Sequence, residues 1–259
     1  MEHGIFASLL AVGLFLGMLI LSEVGRRVGM RRLAQDPEGA EAGVGVVDGA
    51  IFALLGLLVA FTFSGAASRF DMRRQLIVEE TNDIGTAYLR LDLLPVDAQL
   101  KLREKFRQYV DARLEVYRKL PNVAAAKEEL VKANNLQGDI WRQAVAASTA
   151  QGAAPAAPML LLTALNAMID ITTTRTLTMQ MHPPMVIFAL LFGLALTSSL
   201  LVGYGMAASK QRNWLHTLGL AFAMATAVFV ILDIEYPRVG FIRVDAFDRA
   251  LVELRESMK

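Results

Sequence analysis

Single charges interrupt apolar helical seams in the middle of this chain. Glu80 stands three residues after Ile77 and four before Ile84, so on a helix it shares their face. Arg113 falls between Val110 and Tyr117, and Arg175 between Thr172 and Met179. A charge on a core face must find a partner or neutralise. Two chemistries are open to such a set: an ion pair that fixes helix register, or a ligand site. If the helices bearing Glu80 and Arg113 form a hairpin about Pro95-Val96, Glu80 reaches roughly the level of residue 111. Arg113 is then the expected partner, with Arg175 the second choice.

Two further groups could act on ions. Asp233 and Glu235 close a long apolar segment, just before Pro237 and Gly240 force a turn. Acids at such a boundary could line an ion entrance; they could equally pair with Arg69 or Arg73. Within an earlier apolar segment, Gly49, Ala53, Gly56, Ala60, Ser64 and Ala67 recur at helical spacing and form a small-residue stripe. Beside it run Asp48, Phe52, Val59 and Phe63. Small residues let helices approach closely in lipid, and an apolar row around a shared axis can gate by dewetting. Asp48, Phe52, Gly56, Val59 and Phe63 are therefore the pore-lining candidates. Ordinary packing or lipid contact explains the same pattern without a pore.

Motifs for bond-making chemistry are missing. The chain carries no phosphate-binding glycine loop, no dinucleotide fingerprint, no HExxH, no GxSxG and no calcium loop. It has no cysteine, and His3, His182 and His216 lie far apart. No enzyme activity, cofactor or metal is expected. The net charge of +1 supplies no field to attract nucleic acid.

The elements that hold these residues are read from hydropathy. The chain is 54% hydrophobic with mean hydropathy +0.42, above the usual soluble domain. Ile5–Leu21, Gly49–Ala67, Met185–Met206 and Leu215–Leu232 each meet the length for crossing a bilayer. The first lacks a basic leader and is followed by Arg26, Arg27, Arg31 and Arg32, so it reads as a retained span. The second runs on without a proline to Pro95. A helix from 46 to 94 would be roughly 73 Å long, against about 30 Å of hydrocarbon. Its far half must leave the membrane.

Residues 65–184 read as helices throughout. Helix A continues the second span to Leu94, with Phe70, Ile77, Ile84 and Leu91 at sevenfold spacing. Asp97 is a plausible cap for helix B, which ends near Leu120-Pro121. Asn122 caps helix C, which reaches about Ala150, and helix D runs from about Pro158 to Met181.

These pieces together resemble the bestrophin-like domain family, four-span membrane proteins of unknown function. The resemblance covers nearly the whole chain. It rests on GLLVAFTFS in the second span, EETNDIGTAYLRLDLLP beyond it, Pro183-Pro184 before the third span, and the Asp-x-x-x-Pro-x-x-Gly close within ILDIEYPRVGFIRVD. The resemblance implies a relation of layout to bestrophins, which are oligomeric anion channels that keep their large domain in the cytoplasm.

The expected fold is an all-α membrane protein with four transmembrane helices and a soluble antiparallel helical bundle, the second transmembrane helix continuing into the bundle. Its expected division is 1–64 for spans one and two, 65–184 for the bundle, 185–233 for spans three and four, and 234–259 for a short tail. The expected partners are the lipid bilayer, further copies of the chain and an inorganic ion. The expected function is a homo-oligomeric ion channel or ion-regulated pore with span two near the axis; the alternative is a non-conducting sensor or scaffold whose bundle binds a ligand or partner. The expected location is the bacterial inner membrane. The short loops carry Arg26, Arg27, Arg31, Arg32, Lys210 and Arg212, against Arg69, Arg73, Arg74, Arg238 and Arg243 on the other side. The positive-inside rule then puts the bundle outside the cytoplasm, opposite to the bestrophin layout.

Overall fold

The computed structural model describes residues 2–36, 44–209 and 213–258. Lys210, Arg212 and the acidic loop 37–43 lie outside the described residues. The described elements are helical. They are α1 (Glu2–Gln35), α2 (Val44–Leu89), a 3₁₀ turn (Arg90–Leu93), α3 (Val96–Arg118), α4 (Val123–Ser148), α5 (Ala157–Thr178), α6 (Met185–Gly205), α7 (Trp214–Glu235), a second 3₁₀ turn (Asp245–Asp248) and α8 (Arg249–Ser257). Among the described residues, five helices are long and apolar enough to cross a membrane: α1, α2, α5, α6 and α7. The fifth, α5, was read from sequence as part of the bundle; its most apolar window reaches a mean hydropathy of only 1.2, against 2.1–2.5 for the others.

Several element ends differ from the sequence reading by local chemistry. Helix α2 stops at Leu89 and tightens into the 3₁₀ turn before Pro95, because the residue before a proline avoids the α-helical region. Pro95, not Asp97, occupies the cap position of α3; Asp97 sits in its first turn without a capping bond. Asn122 does cap α4, its side chain accepting from the Ala125 N–H at 3.2 Å. Helix α1 runs well past the apolar stretch, through all four of its basic residues to Gln35.

The chain forms two compact units. One comprises residues 1–69 and 182–236, the other 70–181 and 237–259. Residues 237–259, expected as part of a short tail, thus cluster with the second unit. Helix α2 contributes to both, the division falling after Arg69.

In the first unit, α1 packs along α6 and α7. Leu14 and Met18 of α1, Leu191 and Ala195 of α6, and Val228 and Ile231 of α7 are buried. Glycines set the α1–α6 approach. A Cβ on Gly203 would stand 1.8 Å from the Ser22 carbonyl oxygen, and one on Gly25 1.9 Å from that of Leu200. This is small-residue packing of the membrane type, where close backbones replace a hydrophobic drive. The Ser199 hydroxyl adds a hydrogen bond to the Met18 carbonyl at 2.5 Å.

In the second unit, α3 packs on α4, α4 on α5, and α8 against α3. Its core joins Ile84, Ala87 and Leu91 to Phe106 and Val110 of α3, Ile140 of α4, Leu161, Leu165 and Met168 of α5, and Leu251 of α8. Tyr88 meets Phe106 edge-on at 5.8 Å.

Candidate functional site

Glu80 lies on the buried line of α2 with Ile77, Ile84 and Ala87, and is 0% exposed. Two arginines reach its carboxylate. Arg113 of α3 donates from Nε to Oε1 at 2.6 Å, and Arg175 of α5 donates from Nη1 to Oε2. The first and second choices from the sequence are both partners. Periodicity puts all three on core faces; the tertiary fold makes them one cluster.

The cluster extends through residues that sequence reasoning passed over. Arg113 Nη2 donates to the Tyr117 hydroxyl at 2.7 Å. The guanidinium carbons of Arg175 and Arg238 each stand 4.5 Å from the Tyr117 ring centre, and that of Arg113 stands at 5.4 Å. Arg238 in turn forks onto Asp248, with Nη2 to Oδ1 at 2.9 Å, and donates to Asp245 at 3.1 Å. Tyr117 was visible as a seam aromatic on helix B; nothing local to Arg238 or Asp248 signals burial. Burial pushes the Tyr117 hydroxyl above its ordinary value, with Arg113 and Arg238 pulling the other way. Burial alone would depress Arg238, but its hydrogen bond to Asp248 and that carboxylate's charge outweigh it and raise the group.

Chemically, this arrangement holds charge rather than moving protons. Each carboxylate is matched by a guanidinium, and the aromatic face is filled by cations. A second buried polar knot also escaped the sequence. Tyr109 and Thr172 share a hydrogen bond of 3.1 Å, and the Gln137 amide donates to both at 3.3 Å and to the Met168 carbonyl at 3.4 Å. Its signal was Gln137 on the face of α4 that carries Ala133, Ile140 and Ala144.

The boundary acids lie at the end of α7, and both are 1% exposed. Arg69 donates to Glu235 Oε1 from Nε at 2.9 Å and also from Nη2. His182 Nδ1 lies 3.4 Å from Oε2 of the same carboxylate, and its ring stacks on Tyr236 at 4.6 Å. Arg69 was one of two partners open on sequence grounds. His182 was not anticipated, because nothing in its own segment points to a carboxylate 53 residues away.

The pore-lining candidates do not form one class. Asp48, Phe52 and Val59 are half-buried, flanking the buried line Leu55, Thr62 and Ala66; Gly56 and Phe63 are exposed. The Asp48 Oδ1 is buried without a hydrogen-bond partner. Along the small-residue stripe, Gly49 and Gly56 have nothing within 4 Å of where a Cβ would stand. The stripe is not used for close packing within the chain. That role falls to Gly25 and Gly203, and to Gly29, whose Cβ would meet Ala207 at 2.5 Å. The Gly25-x-x-x-Gly29 spacing was the available signal.

The sequence model of the Bestrophin-like domain family matches residues 9–246. The chain belongs to that family. No curated protein and no solved structure matches it. As a Bestrophin-like protein with several long apolar helices, it is an integral membrane protein.

Proposed function

We propose that this Bestrophin-like protein is one subunit of a homo-oligomeric ion channel or ion-regulated pore, with the apolar half of α2 nearest the shared axis. One observation carries the reading. The most apolar window of α2 is only 11% buried within the chain, against 22–39% for the other candidate spans. Its small stripe is open, so backbones of neighbouring subunits could meet there. In this reading α1, α2, α6 and α7 span the inner membrane of a bacterium. Helix α5 belongs to a soluble bundle, since Leu161, Leu165 and Arg175 are committed to its core. The bundle stands outside the cytoplasm, and the protein performs no bond-making chemistry.

The alternative is a sensor or scaffold. It is favoured by the partnered charges around Glu80, which hold α2, α3 and α5 together with the segment after Pro237. Planar-bilayer recording with native mass measurement separates the two. Conductance from an oligomer is expected. A monomer without current across pH, calcium and voltage would exclude the pore and leave the sensor.

A further inference from the structure

We propose that the first unit carries a specific binding site for an anionic phospholipid, in the groove between the amino-terminal ends of α1 and α6 and the carboxyl-terminal end of α7. The groove has a volume of about 820 Å³ and is lined by Phe6, Leu10, Phe188, Phe192 and Leu232, with Tyr236 at its polar end. Apart from that tyrosine the named lining is aliphatic or aromatic, which suits an acyl chain and no polar ligand.

The choice of headgroup comes from the charges beyond Tyr236. Tyr236 stacks on His182, His182 contacts Glu235, and Glu235 holds Arg69. Exposure in this chain is unequal. The Glu235 side chain is 1% exposed, whereas those of Arg69 and His182 are 27% and 29% exposed. A lipid whose chain fills the groove would carry its phosphate past Tyr236 towards these two part-exposed nitrogen-bearing side chains, while Glu235 is buried. Arg69 spends Nε and one face of Nη2 on Glu235, and a guanidinium has five N–H donors in a fixed fork. Its Nη1 lies back over Gly65, 3.3 Å from where a Cβ would stand. A side chain at residue 65 would crowd that nitrogen. The start of α6 faces the same end, and its dipole favours an anion there. An arginine fork matches phosphate geometry, and an aromatic ring with a polar tip suits the headgroup level.

This proposal does not depend on conduction or subunit number. It is tested by native mass spectrometry of the full chain in detergent, titrated with phosphatidylglycerol and, separately, phosphatidylcholine. Both lipids carry the phosphate, but the choline ammonium of phosphatidylcholine cancels its charge beside Arg69, so the first bound phosphatidylglycerol should be held about tenfold more tightly. Ala189 also lines the groove, and Ala189→Trp, which adds bulk there, should abolish that first adduct for both lipids. His182→Phe, which keeps a ring against Tyr236 but removes both nitrogens, should weaken both lipids. Excess inorganic phosphate should not displace the lipid. Equal binding of the two lipids, retention by Ala189→Trp, or displacement by inorganic phosphate alone would each overturn the proposal. If Ala189→Trp fails to fold, the comparison of the two lipids on the unmodified protein decides.

Discussion

Replacing Glu80 by glutamine removes one negative charge from a site where two guanidiniums converge. Arg113 is 1% and Arg175 4% exposed, and Glu80 itself 0%, so water cannot take over the lost role. Breaking a buried pair by deleting one partner costs about 3–5 kcal/mol, because the remaining charge is stranded. Here two charges lose their carboxylate, which places the effect at the upper end. For a unit of this size each kcal/mol moves Tm by roughly 2–4 °C, so a fall of about 10–20 °C is expected for Glu80→Gln. Circular dichroism melting in detergent reads it. Glu80→Gln with Arg113→Met should recover only part of the loss, since Arg175 stays unpaired. Glu80→Met with both arginines changed to Met should recover most of it. An exposed pair contributes only about 0–1 kcal/mol. A single variant that melts within a degree or two of the wild type would therefore refute the buried-cluster reasoning. A variant that is stable yet loses conductance or ligand response would make Glu80 a site residue.

Gly203→Ala places a methyl group against the Ser22 carbonyl and should destabilise the α1–α6 contact by about 1–3 kcal/mol, as overpacking does. A Cβ at Gly56 would have nothing within 4 Å and the residue is exposed, so Gly56→Leu should leave the melt of a monomer unchanged but disrupt an oligomer on size-exclusion light scattering; an unaffected oligomer would remove α2 from the subunit contact. Tyr117 is raised above 10.0 by burial, so the unfolded chain ionises it first as pH rises. The stability it contributes is fully present below about pH 10 and is lost as pH climbs towards the folded value. Chemical denaturation should show this alkaline loss in the wild type and less of it in Tyr117→Phe. A cysteine at Ala40 should be protected from impermeant maleimide in intact cells while one at Val123, which is 58% exposed, should label; the reverse would place the bundle in the cytoplasm.

How much was legible from sequence differs by feature. Asn122 was readable as a cap because the cap bond joins residues three apart. Asp97 misled because Pro95 acts first: its fixed φ and missing N–H set the helix start before a side-chain cap can compete. Ile77, Glu80 and Ile84 were readable as one face because helical period is local. The choice among packing, lipid contact and a pore axis for the small stripe was not, since Gly25, Gly56 and Gly203 are chemically identical and differ only in what stands opposite.

The sequence by itself determined that this is an all-helical membrane chain of the Bestrophin-like family, with its long apolar helices and its interrupting charges on core faces. Those properties follow from composition and from periods of a few residues. Only the tertiary structure decided the pairings. Glu80 meets Arg113 and Arg175 from helices 33 and 95 residues away in sequence. Arg69 meets Glu235 across 166 residues, and Ser199 reaches Met18 across 181. Each such contact depends on which helices become neighbours and at what height; the hairpin about Pro95-Val96 indicates both for Arg113, and no local pattern fixes the others. That is also why Tyr117 and Arg238, ordinary in their own segments, stand at the centre of the buried charges.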